Sequence, residues 1–261
     1  MNLLALPAFT DNYIWMLHDG HKALVVDPGD ASPVLETLQH EGLELAAILV
    51  THRHLDHVGG LDRLRPHLRG LVYGPAMGHI SGIDVRVGDG VYIDFQGLRV
   101  DVWDTPGHTA DHVSYLVRFD AIKSDQPPLL FCGDTLFSAG CGRIYDGTAQ
   151  QLFSALTRFS ALPGNTAVCC THEYTLANLR FARAVEPDNN AIAVHEQTCR
   201  KLRAQGQATL PSTISTELAV NPYLRCDQPQ VVHSAQQHGA LDSTALAVFT
   251  ALRQWKDSFQ T

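Results

Sequence analysis

The chain has 261 residues, 45% of them hydrophobic, and a formal net charge of −8 from 19 Lys+Arg against 27 Asp+Glu. That is enough apolar material for one large domain, or a domain plus an appendage, around a sizeable core. The acidic balance argues against general nucleic-acid binding and requires a local basic cluster for any anionic substrate. No apolar run approaches the roughly 20 residues of a membrane span. The start, Met1 to Trp15, lacks the basic flank and cleavage pattern of a signal peptide and has no arginine for a transit peptide. The six cysteines (132, 141, 169, 170, 199 and 226) form no CxxC pair and no disulfide framework, so reduced thiols in a cytoplasmic protein are expected.

In chain order, residues 12–17 and 23–26 read as a hairpin joined by Asp19-Gly20. Asp27-Pro28-Gly29 makes a turn. Ser32 can cap a helix with Pro33 in its first position, and Gly42 is placed to end it. The uninterrupted apolar run 46–50 then reads as a buried strand that delivers Thr51-His52-Arg53-His54-Leu55-Asp56-His57-Val58-Gly59-Gly60. In an extended segment His52 and His54 point to the same side. Asp56 and His57 follow where the chain turns, and the glycine pair is expected to free the backbone to start a helix. Three imidazoles and a carboxylate so close together would repel or lie unpaired if buried without a cation. The alternative is a solvated, histidine-rich loop; the pattern favours a metal site.

A short helix is expected over 60–65, and weak strands near 71–73, 84–87 and 91–95. Three later apolar runs repeat the first one's ending. Residues 98–103 lead to Thr105-Pro106-Gly107-His108, 129–132 lead to Gly133-Asp134, and 167–170 lead to Thr171-His172. Four strands thus each end in a potential ligand, at the loops where rigid scaffolds carry their sites. After Tyr174 helical patterns dominate, over 174–185, 188–205, a Pro-bounded stretch at 211–225, and 242–259. In the last, Asp242 or Ser243 can cap, and Leu246, Phe249, Leu252, Trp255 and Phe259 recur at helical spacing. Arg253 and Lys256, three apart, are neighbours on its surface; on their own they read as a solvated face.

The candidate ligands are His52, His54, Asp56, His57, His108, Asp134 and His172. Seven exceed the needs of one tetrahedral zinc and suit two metals if a carboxylate bridges, for which Asp134 is the natural choice. The nitrogen and oxygen donors accept zinc, iron or manganese. Two metals about 3.5–4 Å apart lower the pKa of a shared water, polarise an acyl or phosphoryl oxygen and stabilise the leaving group. Such a pair requires no serine or cysteine nucleophile, which matters because no GxSxG elbow is present and no cysteine sits in a convincing catalytic context.

The Thr-His-x-His-x-Asp-His run, with His108, Asp134 and His172 in order, resembles the metallo-β-lactamase superfamily. The resemblance implies an α+β fold, a four-layer αββα sandwich over residues 1–173 with the metals at one edge. His54 stands where the superfamily's diiron oxidoreductases usually carry glutamate, which favours hydrolysis. Thr10-Asp11-Asn12-Tyr13-Ile14-Trp15, Gly140-Cys141-Gly142-Arg143, Thr171-His172-Glu173-Tyr174-Thr175 and Asn221-Pro222-Tyr223-Leu224-Arg225 look like the glyoxalase II (hydroxyacylglutathione hydrolase) family. By that resemblance residues 174–261 form an all-helical, glutathione-binding C-terminal domain. One metal is held by His52, His54 and His108, and the other by Asp56, His57 and His172. Asp134 bridges, and Asp56 and Asp134 serve catalysis together with a hydroxide shared by the metals. Zinc is the first choice of metal. Arg143, Tyr145, Tyr174, Arg253 and Lys256 match the family's glutathione contacts. Asp111 replaces a frequent glycine beside His112, which is expected to be structural or supporting rather than a ligand.

The implied reaction is hydrolysis of the thioester S-D-lactoylglutathione to D-lactate and glutathione, the second step of methylglyoxal detoxification; separately, no obvious pairing segment argues against a monomer. A lactone or phosphodiester hydrolase of the same fold is the alternative. A non-catalytic metal-binding module is disfavoured because all seven ligand positions are filled.

Overall fold

The computed structural model describes residues 1–119 and 125–259. It opens with a strand the sequence reading does not anticipate, β1 (Asn2–Ala8), before the expected hairpin of β2 (Asn12–His18) and β3 (Lys22–Val26). Then come α1 (Ala31–Glu41), β4 (Glu44–Leu49), α2 (Leu55–Val58), α3 (Leu61–Leu64), β5 (Leu68–Pro75) and β6 (Val85–Val87). These six strands form one sheet in sequence order. The first two pairings are antiparallel and the other three parallel.

Side-chain alternation on β2 and β3 explains how this sheet is covered on both faces. Tyr13, Trp15, Leu17, Leu24 and Val26 share a core with Val100, Val102 and Tyr115 of the second sheet. Their neighbours Ile14, Met16, Ala23 and Val25 pack instead with Val34, Leu38, Leu61 and Leu64 of α1 and α3. A strand buried on both faces has no polar face to show, so it reads as a continuous apolar run.

The second sheet contains β7 (Tyr92–Phe95), β8 (Leu98–Asp104), β9 (Val113–Arg118) and β10 (Leu129–Gly133). A small hairpin, β11 (Leu136–Phe137) and β12 (Gly140–Cys141), stands apart from it. After α4 (Ala149–Ser160), β13 (Ala167–Cys170) adds beside β10. The remaining elements are α5 (Thr175–Val185), α6 (Asn190–Ala204), β14 (Ser212–Thr213), α7 (Ile214–Val220), α8 (Pro229–Gln237) and α9 (Ala245–Ser258). The short β14 completes the sheet order β14-β13-β10-β9-β8-β7. Trp103, on the face of β8 opposite Val102, stacks on Phe159 of α4 with ring centroids 6.2 Å apart. The layers therefore run helix, sheet, sheet, helix. No helix among the described residues is long and apolar enough to cross a membrane.

Strand direction places the site. β8 and β10 both run antiparallel to β9, and β13 runs parallel to β10. The C-terminal ends of β8, β10 and β13 consequently share one edge, and so does the start of β9 with His112 just before it. The Val113 amide donates to Thr51 O across 2.9 Å, which brings the end of β4 to the same place.

Three local expectations need correcting. The cap of α1 is Asp30, whose carboxylate accepts from the Ser32 amide, so Ser32 lies inside the helix; Gly42 ends it in the left-handed conformation as expected. The cap of α9 is Thr244, whose side chain accepts from the Ala247 amide. Asp242 instead accepts from the Thr244 amide and hydroxyl. Helix α4 is absent from the sequence reading although its signals are present. Thr148 and Gln151 form a reciprocal capping box, and Leu152, Ala155, Leu156 and Phe159 make one buried stripe.

Candidate metal centre

All seven predicted ligands meet at the shared edge. Their donor atoms fall into three overlapping groups: His52 with His54 and His108, His52 with His57 and Asp134, and Asp56 with His57 and His172, each within 4.8 Å. His54 Nδ1 lies 3.0 Å from His52 Nε2 and 3.1 Å from His108 Nε2. On the other side, His172 Nε2 and His57 Nε2 lie 3.4 and 3.5 Å from Asp56 Oδ2. Asp134 stands between. Its Oδ1 is 3.4 Å from both His57 and His172, and its Oδ2 is 3.4 Å from His108.

Outward hydrogen bonds decide which way the imidazole lone pairs face. His108 Nδ1–H donates to Arg143 O at 2.8 Å, and His172 Nδ1 meets Asp11 Oδ1 at 2.9 Å. His57 Nδ1 faces Asp27 Oδ2 at 3.0 Å. The Thr51 hydroxyl donates to Asp27 and so accepts from His52 Nδ1, 3.0 Å away. In His52, His108 and His172 these contacts place a proton on the outer nitrogen, and in all four rings Nε2 is the nitrogen that faces the other candidate ligands. Both ring nitrogens of His57 and Asp134 Oδ1 are buried without a hydrogen-bond partner among the described residues, with Asp27 Oδ2 3.0 Å from His57 Nδ1. Converging lone pairs around a buried carboxylate are a cost without a cation and a coordination shell with one. The donor set fits two divalent metals.

The electrostatics agree. Burial pushes the Asp134 carboxyl up, but His57 and His172 outweigh it and hold the group well below the carboxylate range. Burial similarly opposes ionisation of Asp56, and the hydrogen bond and charge of His57 overcome it. His52, fully buried among other imidazoles, is driven the opposite way to His57, well below the usual histidine value.

The glycine pair has a different task from the one expected. Gly59 and Gly60 adopt ordinary helical angles (φ −61° and −84°), so no special backbone freedom is used. A Cβ on Gly59 would meet Gly29 O at 2.7 Å, and one on Gly60 would meet Pro28 O at 2.5 Å. The pair exists so that the turn after β3 can lie against α2. That turn carries Asp27, which holds both Thr51 and His57. Gly133 is demanding for both reasons: its φ is +48°, and a Cβ there would sit 2.5 Å from Thr51 Oγ1.

His112 belongs to neither group of ligands. Its Nε2 accepts from the Asp134 amide at 3.1 Å, its Nδ1 meets Thr105 Oγ1 at 3.0 Å, and its ring stacks on His52. It supports the centre, as expected. Sequence reasoning missed three other supports. Asn12 donates to Asp56 Oδ2 at 3.0 Å, Asp11 holds His172, and Asp27 holds His57. The signal for Asp27 is visible in retrospect, as a carboxylate closing a buried strand just as the ligands close theirs.

A cleft of about 400 Å³ opens beside the cluster, and Arg143, Tyr145, Tyr174, Arg253 and Lys256 all line it. Tyr174 stacks on His172 at 4.7 Å, and Tyr145 meets His54 and His108 edge-on at 5.1 Å. Phe137, Cys141, Ala177 and Asn178 complete the walls and were not foreseen. Arg253 is not on a solvated face: it is 5% exposed. Its Nη1 donates to Cys141 O at 3.1 Å and its Nη2 to Asp257 Oδ1 at 2.9 Å. Lys256 is half-buried, and its ammonium lies 5.3 Å from the Phe181 ring centre.

Comparison with known proteins gives the same picture at the level of the whole chain. Residues 8–172 match the family described as the metallo-beta-lactamase superfamily, and residues 173–259 match the hydroxyacylglutathione hydrolase C-terminus. The chain is 50% identical over 259 residues to the hydroxyacylglutathione hydrolase of Albidiferax ferrireducens, covering 99% of this chain and 100% of that one. It is 49% identical over 261 residues to the protein of the same name from Chromohalobacter salexigens, with the same coverage. Among solved structures, ETHE1 from Myxococcus xanthus aligns with a TM-score of 0.63 at 25% identity, over 97% of this chain and 98% of that one. The BLEG-1 B3 metallo-beta-lactamase also aligns at 0.63, with 22% identity over 85% and 99%, and shares the fold.

Proposed function

The chain belongs to the hydroxyacylglutathione hydrolase family of the metallo-β-lactamase superfamily, and from that premise we propose that it hydrolyses S-D-lactoylglutathione to D-lactate and glutathione. The observation that carries the proposal is a cleft lined by Arg143, Arg253 and Lys256 that opens directly onto the seven-residue cluster. Glutathione brings two carboxylates, and an acidic chain needs such a patch to hold them. His52, His54 and His108 would hold one metal and Asp56, His57 and His172 the other, with Asp134 between them. Zinc suits this donor set, and iron or manganese can replace it. When bound, the two cations supply an acidic water and a Lewis acid for the acyl oxygen.

The chain's own residues do the rest. Arg143 and Lys256 take the substrate's carboxylates, and Tyr145 and Tyr174 wall the thioester against the metal side. Asp56, kept ionised, is the acceptor at hand for the proton that the hydrolytic water gives up, while Asp134, with both oxygens turned to the ligand histidines, would serve catalysis by holding the metals. The glutathione thiol has an ordinary pKa of about 8.5, so it departs as thiolate without a strong acid from the protein. The six unpaired, buried cysteines suit a monomer working in the cytoplasm.

Lys256 supplies a test through pH. Burial first, then the charges of Arg253, Arg180 and Arg143, bring its ammonium down to about 8; Cys141 opposes them. A bound carboxylate favours the charged form, so substrate binding takes up a proton above that pH and weakens as pH rises. KM for S-D-lactoylglutathione should be lowest below pH 8 and climb by up to about tenfold per unit above it. Lys256→Arg, charged throughout, should flatten the profile. A wild-type KM that stays level from pH 7 to 10 would remove Lys256 from the binding site.

A further inference from the structure

The turn between β11 and β12 walls the cleft between Asp134 and Arg143, and it is too short to satisfy its own backbone. Its polar groups are met by side chains from beyond residue 173. Asn178 Nδ2 donates to Ser138 O at 3.0 Å. Glu217 Oε2 accepts from the Ala139 amide at 2.7 Å. Asn221 Nδ2 donates to Phe137 O at 3.2 Å and Gly140 O at 2.9 Å. Arg253 Nη1 donates to Cys141 O at 3.1 Å and Gly142 O at 3.4 Å. Six consecutive residues, 137–142, are thus held from the helical region.

Glu217 and Asn221 form the centre of this clamp. Both are completely buried, one helical turn apart, and Asn221 Nδ2 lies 2.9 Å from Glu217 Oε2, so its two hydrogens are shared among that oxygen and the two carbonyls. Ser212 donates to the other carboxylate oxygen at 2.5 Å. Between their contacts lies Ala139, a non-glycine residue at φ +54°, a conformation that persists only where its surroundings fix it. Only a carboxamide suits position 221. It donates to the two carbonyls while its Oδ1 accepts from the Tyr223 amide at 3.1 Å. The Asn221-Pro222-Tyr223 stretch, conspicuous in the sequence only for its resemblance, so acquires a physical task.

We propose that Asn221 and Glu217 are positioning residues for the reaction. They set the backbone of the β11–β12 turn and through it hold Phe137 and Arg143 at the distance that glutathione requires from the metal centre, without touching substrate themselves. This rests on the reading of the cleft as a glutathione site.

Asn221→Ser tests it, because serine still caps the Tyr223 amide but cannot span the two carbonyls. KM for S-D-lactoylglutathione should rise about tenfold, the scale of one net hydrogen bond. Turnover of the same acyl group on a thiol lacking the glutamyl and glycyl arms should change less than about twofold, with metal content unaltered. Glu217→Gln, whose amide can still accept from Ala139 and donate to Ser212, should raise KM less than Asn221→Ser does. An unchanged KM in Asn221→Ser, or equal losses on both thioesters, overturns the proposal. If that variant does not fold, Glu217→Gln carries the test: a smaller rise in KM confined to the glutathione thioester is expected, and an unchanged KM or equal losses on both thioesters overturns the proposal. The two readings fail separately. A wild type that does not distinguish the two thioesters removes the glutathione site and this inference with it. A wild type that distinguishes them, beside an Asn221→Ser variant that does so equally well, removes this inference alone.

Discussion

Asp134→Ala is expected to abolish turnover, with kcat falling on the order of 10³-fold or more, since several kcal/mol of charge stabilisation go with a bound metal. The geometry explains why this position matters most. Among the described residues, Asp134 is the one side chain whose two oxygens face different ligand groups, Oδ1 towards His57 and His172 and Oδ2 towards His108. Alanine leaves five inward-facing imidazoles with Asp56 as the carboxylate on their inner side, Asp27 and Asp11 meeting only the outer nitrogens of His57 and His172. Its amide still reaches His112, so the strand end should persist and the protein should fold. Circular dichroism would check the fold, elemental analysis after dialysis the metals, and steady-state kinetics the rate. Two retained metals with full turnover would contradict the assignment of Asp134 as the residue shared by both sites.

Arg253→Ala is expected to do two things at once: raise KM for the glutathione thioester by about tenfold or more and destabilise the fold by about 2–4 kcal/mol. A purely substrate-binding arginine would do only the first. Arg253 is buried, and two of its nitrogens already serve the protein, one on the carbonyls of Cys141 and Gly142 and one on Asp257. Truncation leaves those two buried carbonyls short of a donor beneath the wall of the cleft. Lys256→Ala provides the contrast, because its ammonium makes one long hydrogen bond, to Ala177 O at 3.4 Å, beside ring contacts to Phe181 and Phe259, and should affect mainly binding. Denaturant midpoints and KM values for the two variants separate the roles. An Arg253→Ala protein as stable as wild type would restore the simpler picture of a free anion-binding side chain.

The sequence discloses the candidate metal ligands far better than it discloses what supports them. Ligands announce themselves by chemistry. His52, His54, Asp56 and His57 crowd one loop, and His108, Asp134 and His172 each close an apolar run, so their residue types and positions suffice. Asp11, Asn12 and Asp27 act through contacts to residues far along the chain, such as Asn12 on Asp56 and Asp11 on His172. Only folding makes those contacts visible. The same holds for the glycine pair 59–60, whose local signal is conformational freedom and whose use is close approach to Pro28 and Gly29. Among the elements, β9 and α4 were legible in principle, by an apolar run and by a capping box with a clear stripe. The turn at 137–142 was not, because its conformation is imposed by side chains forty to more than a hundred residues away.

The central claim is that a cationic cleft beside a two-metal centre selects the glutathione portion of a thioester. The most direct measurement compares kcat/KM of the metal-replete wild-type protein for S-D-lactoylglutathione and for the same D-lactoyl group on a thiol without the glutamyl and glycyl arms. Two lost charge-assisted contacts, at about 1.5–3 kcal/mol each, predict a preference on the order of 10² or more for the glutathione thioester. Equal rates on the two substrates would contradict the claim, and so would hydrolysis of a lactone or phosphodiester with neither thioester turned over.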